Sequence, residues 1–541
     1  MKIIHALFGF FLLGLGESAL AQIQPNFEET VGFSIPKTVY FTGEKIWLSI
    51  DVAISSGPTP SRVVYAELWN RHSESVALAK IPLQDGLAFN YLEIPSGLPS
   101  DHYLLRLFTR VSPYQNPDIG LVQEFVTVFN PHIPPKVVES REVLSIEEVP
   151  SEFLEFSHSS LSPGEQLRVN YIGSDSLIEL SVAVANPFLD SRGRHLSKIL
   201  YDKLEAKALV PEFFGHIIEA KAQIDGRDSS GSGLYFLSLH GKKSALFTDR
   251  KNGKGNLLID AGGFRHWDYL IAQRDENQPL GDFEIVAPSP PTKFRQDFSF
   301  PTLEISPSDS TFLRKLLLGS QIGGYFAQEF EQNDIPVVEG FVPDRTFLLD
   351  DYIRFEDVET HIKEYVPEVL VRTRDRHKEL RVLNALQERS FEESPLILLD
   401  AMPVFEPDRL LRFNPSKFKQ LEIYSRPFFL NDARFAGVVS FSSFDHEFGG
   451  FPLSEKAVFI PYSGLQPPVM EKERLFEVPR EYSKETDWRT VLHWSEVFGR
   501  RASVSGVTVT ASWVKGRYLI EATVMDSSGK IKHEKAWFEV K

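Results

Sequence analysis

Residues 39–52, VYFTGEKIWLSIDV, place the tightest limit on the fold. Around Gly43-Glu44 the apolar residues fall on alternate positions, with Ile46, Leu48 and Ile50 on one face and Lys45, Ser49 and Asp51 on the other or at the edge. A period of two marks a strand that buries one face, because successive strand side chains point to opposite sides. Glycine supplies the turn between the two halves. VVYAELWN, ALAKIPLQDG, FNYLEIP and YLLRLFTRV follow at short spacing, separated by turn formers. Residues 22–132 are therefore expected to form a β-sandwich.

The chain contains no cysteine. That removes disulfides, thiolate-held zinc, iron–sulfur clusters, a thiol nucleophile and a lipidated cysteine at one stroke. Met1-Lys2, an apolar run from Ile3 to Leu15 and Ala19-Leu20-Ala21 together read as an export signal over residues 1–21. The apolar part is shorter than the roughly 20 residues of a spanning helix. An exported chain without disulfides depends on buried apolar surface, and 43 Phe supply bulky material for it. A net charge of -16 argues against nucleic acid, which is bound through clustered Lys and Arg.

Further along, prolines in NPHIPPKVVES (residues 130–140) read as a linker. A second sandwich-like segment is expected over 141–209. There LSPGEQLRVNYIG (161–173) repeats the Gly-Glu step before a strand, and IELSVAVANPF (178–188) reads as a buried strand. Residues 210–287 give another small sandwich. Its DRKNGKGN (249–256) alternates Asp, Asn and Gly, but one Asp among two Lys and one Arg falls short of the carboxylates a calcium loop uses, so a hairpin turn is expected. PSPPTK (288–293) reads as a linker. Over 300–480 the pattern changes to strand, helix, strand, short helix, strand, with a helix opening at Asp357-Val358-Glu359 and stopping at Pro367. Residues 485–541 read as one more β module. The expected fold class is multidomain and mainly β, serial β-sandwiches with one α/β domain.

Three stretches resemble known families. TGEKIWLSIDV, SRVVYAELWN, IPLQDG and IPSGLPSDHYLLRLFTR are similar to the macroglobulin-type (Ig-like) domain of Bacteroidetes exported proteins, with Asp101-His102-Tyr103 departing from the usual strand start. LYFLSLHGKKSALFTDRKNGKGNLLID resembles a carboxypeptidase-regulatory-like domain. Leu396 to Pro403 (LILLDAMP), Phe418 to Arg426 (FKQLEIYSR) and Phe435 to Ser443 (FAGVVSFSS) resemble, in order and spacing, the core of the plug of TonB-dependent receptors, with Ala401 where that family has glycine. A 22-stranded barrel needs about 22 strands of roughly 10 residues, more than the sequence after Phe444 supplies. The resemblance thus implies a plug-like domain without its barrel, beside an outer-membrane partner such as a barrel complex for transport, secretion or barrel assembly.

Motifs for chemistry are sparse. The 14 His show no metal spacing, and His493 reads as an ordinary strand residue. No nucleophile elbow or phosphate-cradling loop occurs, and Ser230-Gly231-Ser232-Gly233 lacks the strand–turn–helix setting of one. No catalytic residue, metal or cofactor is expected. LLDDYIRF offers the aromatic and Arg mix that interface hot spots favour, so Asp351, Tyr352, Arg354 and Phe355 are the expected partner-binding residues. The leading expectation is a non-enzymatic envelope protein, exported to the periplasm or outer membrane, that binds or scaffolds a complex. The alternative is a glycan- or peptide-processing hydrolase with a dispersed acidic site around residues such as Asp351.

Overall fold

The computed structural model describes residues 27–141, 150–189, 196–207, 209–223, 233–251, 256–263, 267–326, 342–467, 469, 487–495, 506–527 and 531–541. The expected export signal and Ser230 to Ser232 lie outside them. The chain divides into two units, one of Met1–Phe213, Ser289–Gln332 and Pro468–Lys541, the other of Phe214–Pro288 and Asn333–Pro467.

The first unit holds two β-sandwiches. In the first, Thr30–Ser34, Lys45–Ile54 and Leu87–Glu93 form one sheet with the short Gly57–Pro58 strand. The other sheet runs Val39–Phe41, Leu121–Phe129, Asp101–Phe108, Val63–Trp69 and Ser75–Pro82. Ile46, Leu48, Ile50 and Val52 point into the core as the alternation requires, meeting Val64, Leu68, Leu105 and Val126. Trp47, on the opposite face, packs with Ala183, Val491 and Trp494 of the second sandwich.

That second sandwich is assembled from distant parts of the chain. One sheet is Leu154–Phe156, Gln166–Tyr171 and Gly506–Thr510; the other runs Ser160–Leu161, Ile531–Val540, Gly516–Met525, Ser176–Val184 and Val491–Ser495. Residues 485–541, expected to form a module of their own, instead supply four described strands of the sandwich begun at 141–209. The reason lies in backbone hydrogen bonding. Ser176–Val184 is a central strand, and its ladder partners come from Gly516–Met525 on one side and Val491–Ser495 on the other. Leu167, Val182, Ile520 and Phe538 fill the core between the sheets.

The two Gly-Glu steps fold alike. Gly43 and Gly164 take φ of 85° and 86°, a region that suits glycine. Glu44 Oε2 accepts the Phe41 N–H at 2.7 Å while its own N–H bonds Phe41 O at 3.1 Å. Glu165 repeats this with Ser162 at 2.7 and 3.1 Å.

The expected linkers are tied down. Lys136–Val137 pairs with Glu304–Ile305. Buried Arg106, bonded to Glu67 Oε1 at 2.7 Å, also donates to Thr292 Oγ1 at 2.5 Å and Ser289 Oγ at 3.1 Å. The Ser310–Phe326 helix, inside the span expected for the α/β domain, belongs to the first unit and packs Leu316 on the second sandwich core.

The second unit contains a sandwich and an α/β layer. Asn256–Asp260, Ile217–Gln223 and Asp282–Ile285 face Ala245–Arg250, Leu234–Gly241, Trp267–Arg274 and Val458–Pro461. The strands flanking 252–255, which lie outside the described residues, join different sheets, so they do not form the expected hairpin. Val458–Pro461, expected within the α/β domain, extends the sandwich by pairing with Trp267–Arg274.

In the α/β layer the sheet order is Arg345–Leu348, Phe418–Tyr424, Val438–Ser443, Leu396–Leu399, Met402–Pro403. The three plug-resembling stretches are therefore neighbours, the first parallel and the second antiparallel to the third. The Val358–Tyr365 helix opens where expected, with the Asp357 side chain accepting the Thr360 N–H at 2.7 Å, and buries Val358 and Ile362. No helix among the described residues is long and apolar enough to cross a membrane. The protein is multidomain and mainly β.

Candidate functional site

Within the first unit, the outer face of the second sandwich and the end strand of the first enclose a cleft of about 370 Å³. Its floor follows from strand register. Ser176–Val184 pairs with Gly516–Met525, which pairs with Ile531–Val540, so outward residues form three rows. These are Glu179–Thr523–His533, Ser181–Glu521–Lys535 and Ala183–Leu519–Trp537. Their in-strand neighbours Val182, Ile520, Ala522 and Ala536 point into the core, which obliges the polar set to face out. Glu521 at the centre lies 3.3 Å from His533 Nδ1 and 3.9 Å from Lys535 Nζ.

The wall is the Thr30–Ser34 strand with residues 35–38, flanked by Asp118, Ile119, Val122, Glu124 and Phe125. Among the described residues this strand pairs with one other, Lys45–Ile54. Val31 and Phe33 enter the core, leaving Thr30, Gly32 and Ser34 on the outer face. Gly32 sits opposite Asp51, and having no side chain it leaves the Asp51 carboxylate uncovered. Asp51 is half-buried, has no hydrogen-bond or ion-pair partner among the described residues, and burial raises its pKa.

Where wall and floor meet, Glu179 Oε1 accepts the Trp494 indole N–H at 2.6 Å and the Ser34 hydroxyl. This fixes the end of the strand against the floor. At the other end Trp537 lies under the Arg517 guanidinium, 5.1 Å from the ring centroid, with its indole N–H buried and unbonded. Five carboxylates (Asp51, Asp118, Glu124, Glu179, Glu521) line the cleft against Lys37, Lys535 and His533.

The expected partner-binding residues lie in the second unit, in the Leu349–Asp351 turn and the loop after it. Only Asp351 is exposed. Tyr352 and Phe355 pack around the helix through Tyr365, at 4.8 and 5.6 Å between ring centroids. Arg354 is used internally. It donates to Pro415 O at 2.7 Å, Phe418 O at 3.0 Å and Asp350 Oδ1 at 2.6 Å. Beside them His361 is buried with both ring nitrogens unbonded, and burial together with the Arg354 charge lowers its pKa. These residues thus mostly hold the α/β core together, and the aromatic and Arg composition that suggested an interface has a packing role.

Among the described residues no group of three His, Asp or Glu is placed to hold a metal ion. The cleft was not marked by the sequence reading, because its floor combines strands more than 300 residues apart, as in the Ser181 to Glu521 pair. Its one local signal is Gly32 in a strand, which marks places where something approaches closely.

No family model and no curated protein matches the chain. Among solved structures, a mutant of Salmonella alpha-2-macroglobulin aligns over 96% of this chain and 23% of its own, at 9% identity and a TM-score of 0.16. Trypsin-activated alpha-2-macroglobulin from Escherichia coli aligns over 96% and 42%, at 10% identity and 0.22. Dimeric latent PorU from Porphyromonas gingivalis aligns over 52% and 34%, at 9% identity and 0.16. This chain spans less than half the length of each. TM-scores this low carry no argument about function, so the reading below rests on the chain's own residues.

Proposed function

We propose that the chain is a non-catalytic binding protein of the bacterial envelope, which holds an outer-membrane partner, such as a barrel complex for transport, secretion or barrel assembly. The cleft of the first unit carries this reading. Its volume of about 370 Å³ lies in the range of ligand sites, and its wall is a strand that, among the described residues, has a strand partner on one side. The sequence resemblance to Bacteroidetes exported proteins with macroglobulin-type, carboxypeptidase-regulatory-like and plug-like domains supports the setting, and the adjacency of the three plug-resembling strands agrees with it. The export signal read over residues 1–21 supports a location in the periplasm or at the outer membrane.

Affinity isolation of the full chain from detergent-solubilised envelopes tests this. A stoichiometric outer-membrane protein should accompany it. A free monomer, recovered wholly in the periplasmic fraction with nothing bound, would defeat the proposal.

A further inference from the structure

The cleft of the first unit holds a carboxylate that the chain itself leaves unmatched. Glu179 accepts the Trp494 and Ser34 donors, and Glu521 faces His533 and Lys535. Asp118 pairs with Lys198 at 3.2 Å, and Lys37 is tied to Glu44 at 3.0 Å. Asp51 differs. It lines the same cleft, half-buried, with no hydrogen-bond or ion-pair partner among the described residues. Withdrawing a charge from water is costly unless a partner compensates, and charge-assisted hydrogen bonds are among the strong ones. A cation brought by a ligand would supply that partner.

The room beside Asp51 is kept by Gly32, its cross-strand neighbour on the same face. No left-handed φ demands glycine there, and a Cβ would meet only Asp51 atoms, at the ordinary contact distances of 3.5 and 3.9 Å. Glycine inside a strand gives up side-chain packing and marks a place of close approach. Ile35, Val122 and Leu519, each half-buried, supply apolar lining among the polar rows. In the floor Trp537 is 7% exposed, and its indole N–H has no acceptor among the described residues. The lining thus keeps an unsatisfied donor as well as an unmatched acceptor. A volume of about 370 Å³ admits a small molecule or one long side chain.

Resting on the binding function proposed above, we infer that the cleft takes one Lys or Arg side chain of the partner, with its ammonium or guanidinium group against Asp51 and its aliphatic stem against the apolar lining. Such side chains suit the site because their stems bury along apolar surface while the charged end keeps a polar contact. A single anchor seated in a pocket is also how a few residues come to carry most of an interface's affinity.

The test titrates the full chain with capped tripeptides that carry Lys, Arg, norleucine or Glu between two glycines, followed by calorimetry. The Lys and Arg peptides should bind, and the norleucine and Glu peptides should bind at least about tenfold more weakly. Asp51→Asn should abolish the preference for Lys over norleucine. Gly32→Val, which sets a side chain beside Asp51, should weaken Lys binding at least about tenfold while circular dichroism stays unchanged. Absence of binding by the Lys peptide at about 10 mM, or equal binding of the Lys and norleucine peptides, would overturn the proposal. So would putrescine binding at least about tenfold more tightly than the Lys peptide, since the occupant would then be a free amine. If Asp51→Asn and Gly32→Val both still retain an envelope partner, the cleft is not its site although the envelope-binding reading stands. If the basic peptides bind but no envelope partner is found, that reading fails and the cleft's choice of a basic side chain stands.

Discussion

Trp494 reaches across 315 residues of sequence to donate its indole N–H to Glu179 Oε1 at 2.6 Å, and the Ser34 hydroxyl donates to the same oxygen. One buried carboxylate oxygen therefore serves both sandwiches of the first unit. Glu179→Ala would leave the buried Ser34 hydroxyl without this acceptor and the Trp494 indole with its longer bond to Ser34 Oγ at 3.1 Å, a loss of about 1–3 kcal/mol. A urea titration followed by tryptophan fluorescence should show a lower midpoint with an unchanged slope. Glu179→Gln, which keeps an acceptor oxygen, should lose less.

The paired Gly-Glu turns allow a comparison within one chain. Glu44 is largely buried and also pairs with Lys37 at 3.0 Å, whereas Glu165 lies at the surface. Both side chains satisfy a backbone N–H three residues earlier. Glu44→Ala should destabilise the first unit by about 1–2 kcal/mol, and Glu165→Ala by about 0.5–1 kcal/mol. Equal losses would mean that the ion pair and burial at Glu44 contribute nothing.

Local features of the fold were legible and pairings were not. Alternation placed Ile46, Leu48 and Ile50 in a core, and Asp357 marked a helix start, because both signals lie within a few residues. That Ser176–Val184 draws partners from beyond residue 490 is a long-range choice, set by which strand satisfies its ladder. Composition alone does not separate the two roles at Tyr352 and Phe355, since aromatic residues that suit an interface suit a core equally well.

Two buried histidines and a half-buried one predict acid sensitivity. Burial lowers the pKa of His102 and His493 to about 4 and that of His240 to about 3. The unfolded chain has histidines near 6.5, so below about pH 6.5 it binds protons that the folded chain refuses. Stability is thus unaffected by these groups above that pH, falls as pH drops towards 4, and levels off below the folded values. Each contributes about 1.4 kcal/mol per pH unit within its window. His240→Phe should make the second unit's stability less steep by about that amount between pH 6 and pH 4, measured as the difference from wild type in denaturant titrations.

Arg354 separates a packing role from a binding one. Its guanidinium holds the carbonyls of Pro415 and Phe418. Arg354→Ala should therefore cost the second unit about 1–3 kcal/mol. Asp351→Asn, at an exposed carboxylate, should stay within about 0.5 kcal/mol of wild type. If Arg354→Ala left stability intact and weakened retention of an envelope partner, the interface role suggested by its composition would be restored.

Asp400 and Ala401 form the two-residue turn between Leu396–Leu399 and Met402–Pro403, with Leu399 opposite Met402. Their φ values are 49° and 68°, the left-handed pair that a type I′ hairpin turn demands. Asp400 tolerates this because its carboxylate accepts the Ser443 N–H at 2.7 Å, the Ser443 hydroxyl at 2.6 Å and the Phe448 N–H at 2.8 Å. Ala401 has no such compensation, and it stands where the resembling family carries glycine. The left-handed conformation costs an alanine roughly 1–2 kcal/mol, while glycine returns about 0.5–1 kcal/mol to the unfolded chain as entropy. Ala401→Gly should therefore stabilise the second unit by about 0.5 kcal/mol, seen as a small rise in its melting temperature. Ala401→Val, with a β-branched side chain in the same conformation, should lower it. A loss on Ala401→Gly would show that the turn is not under strain at this residue.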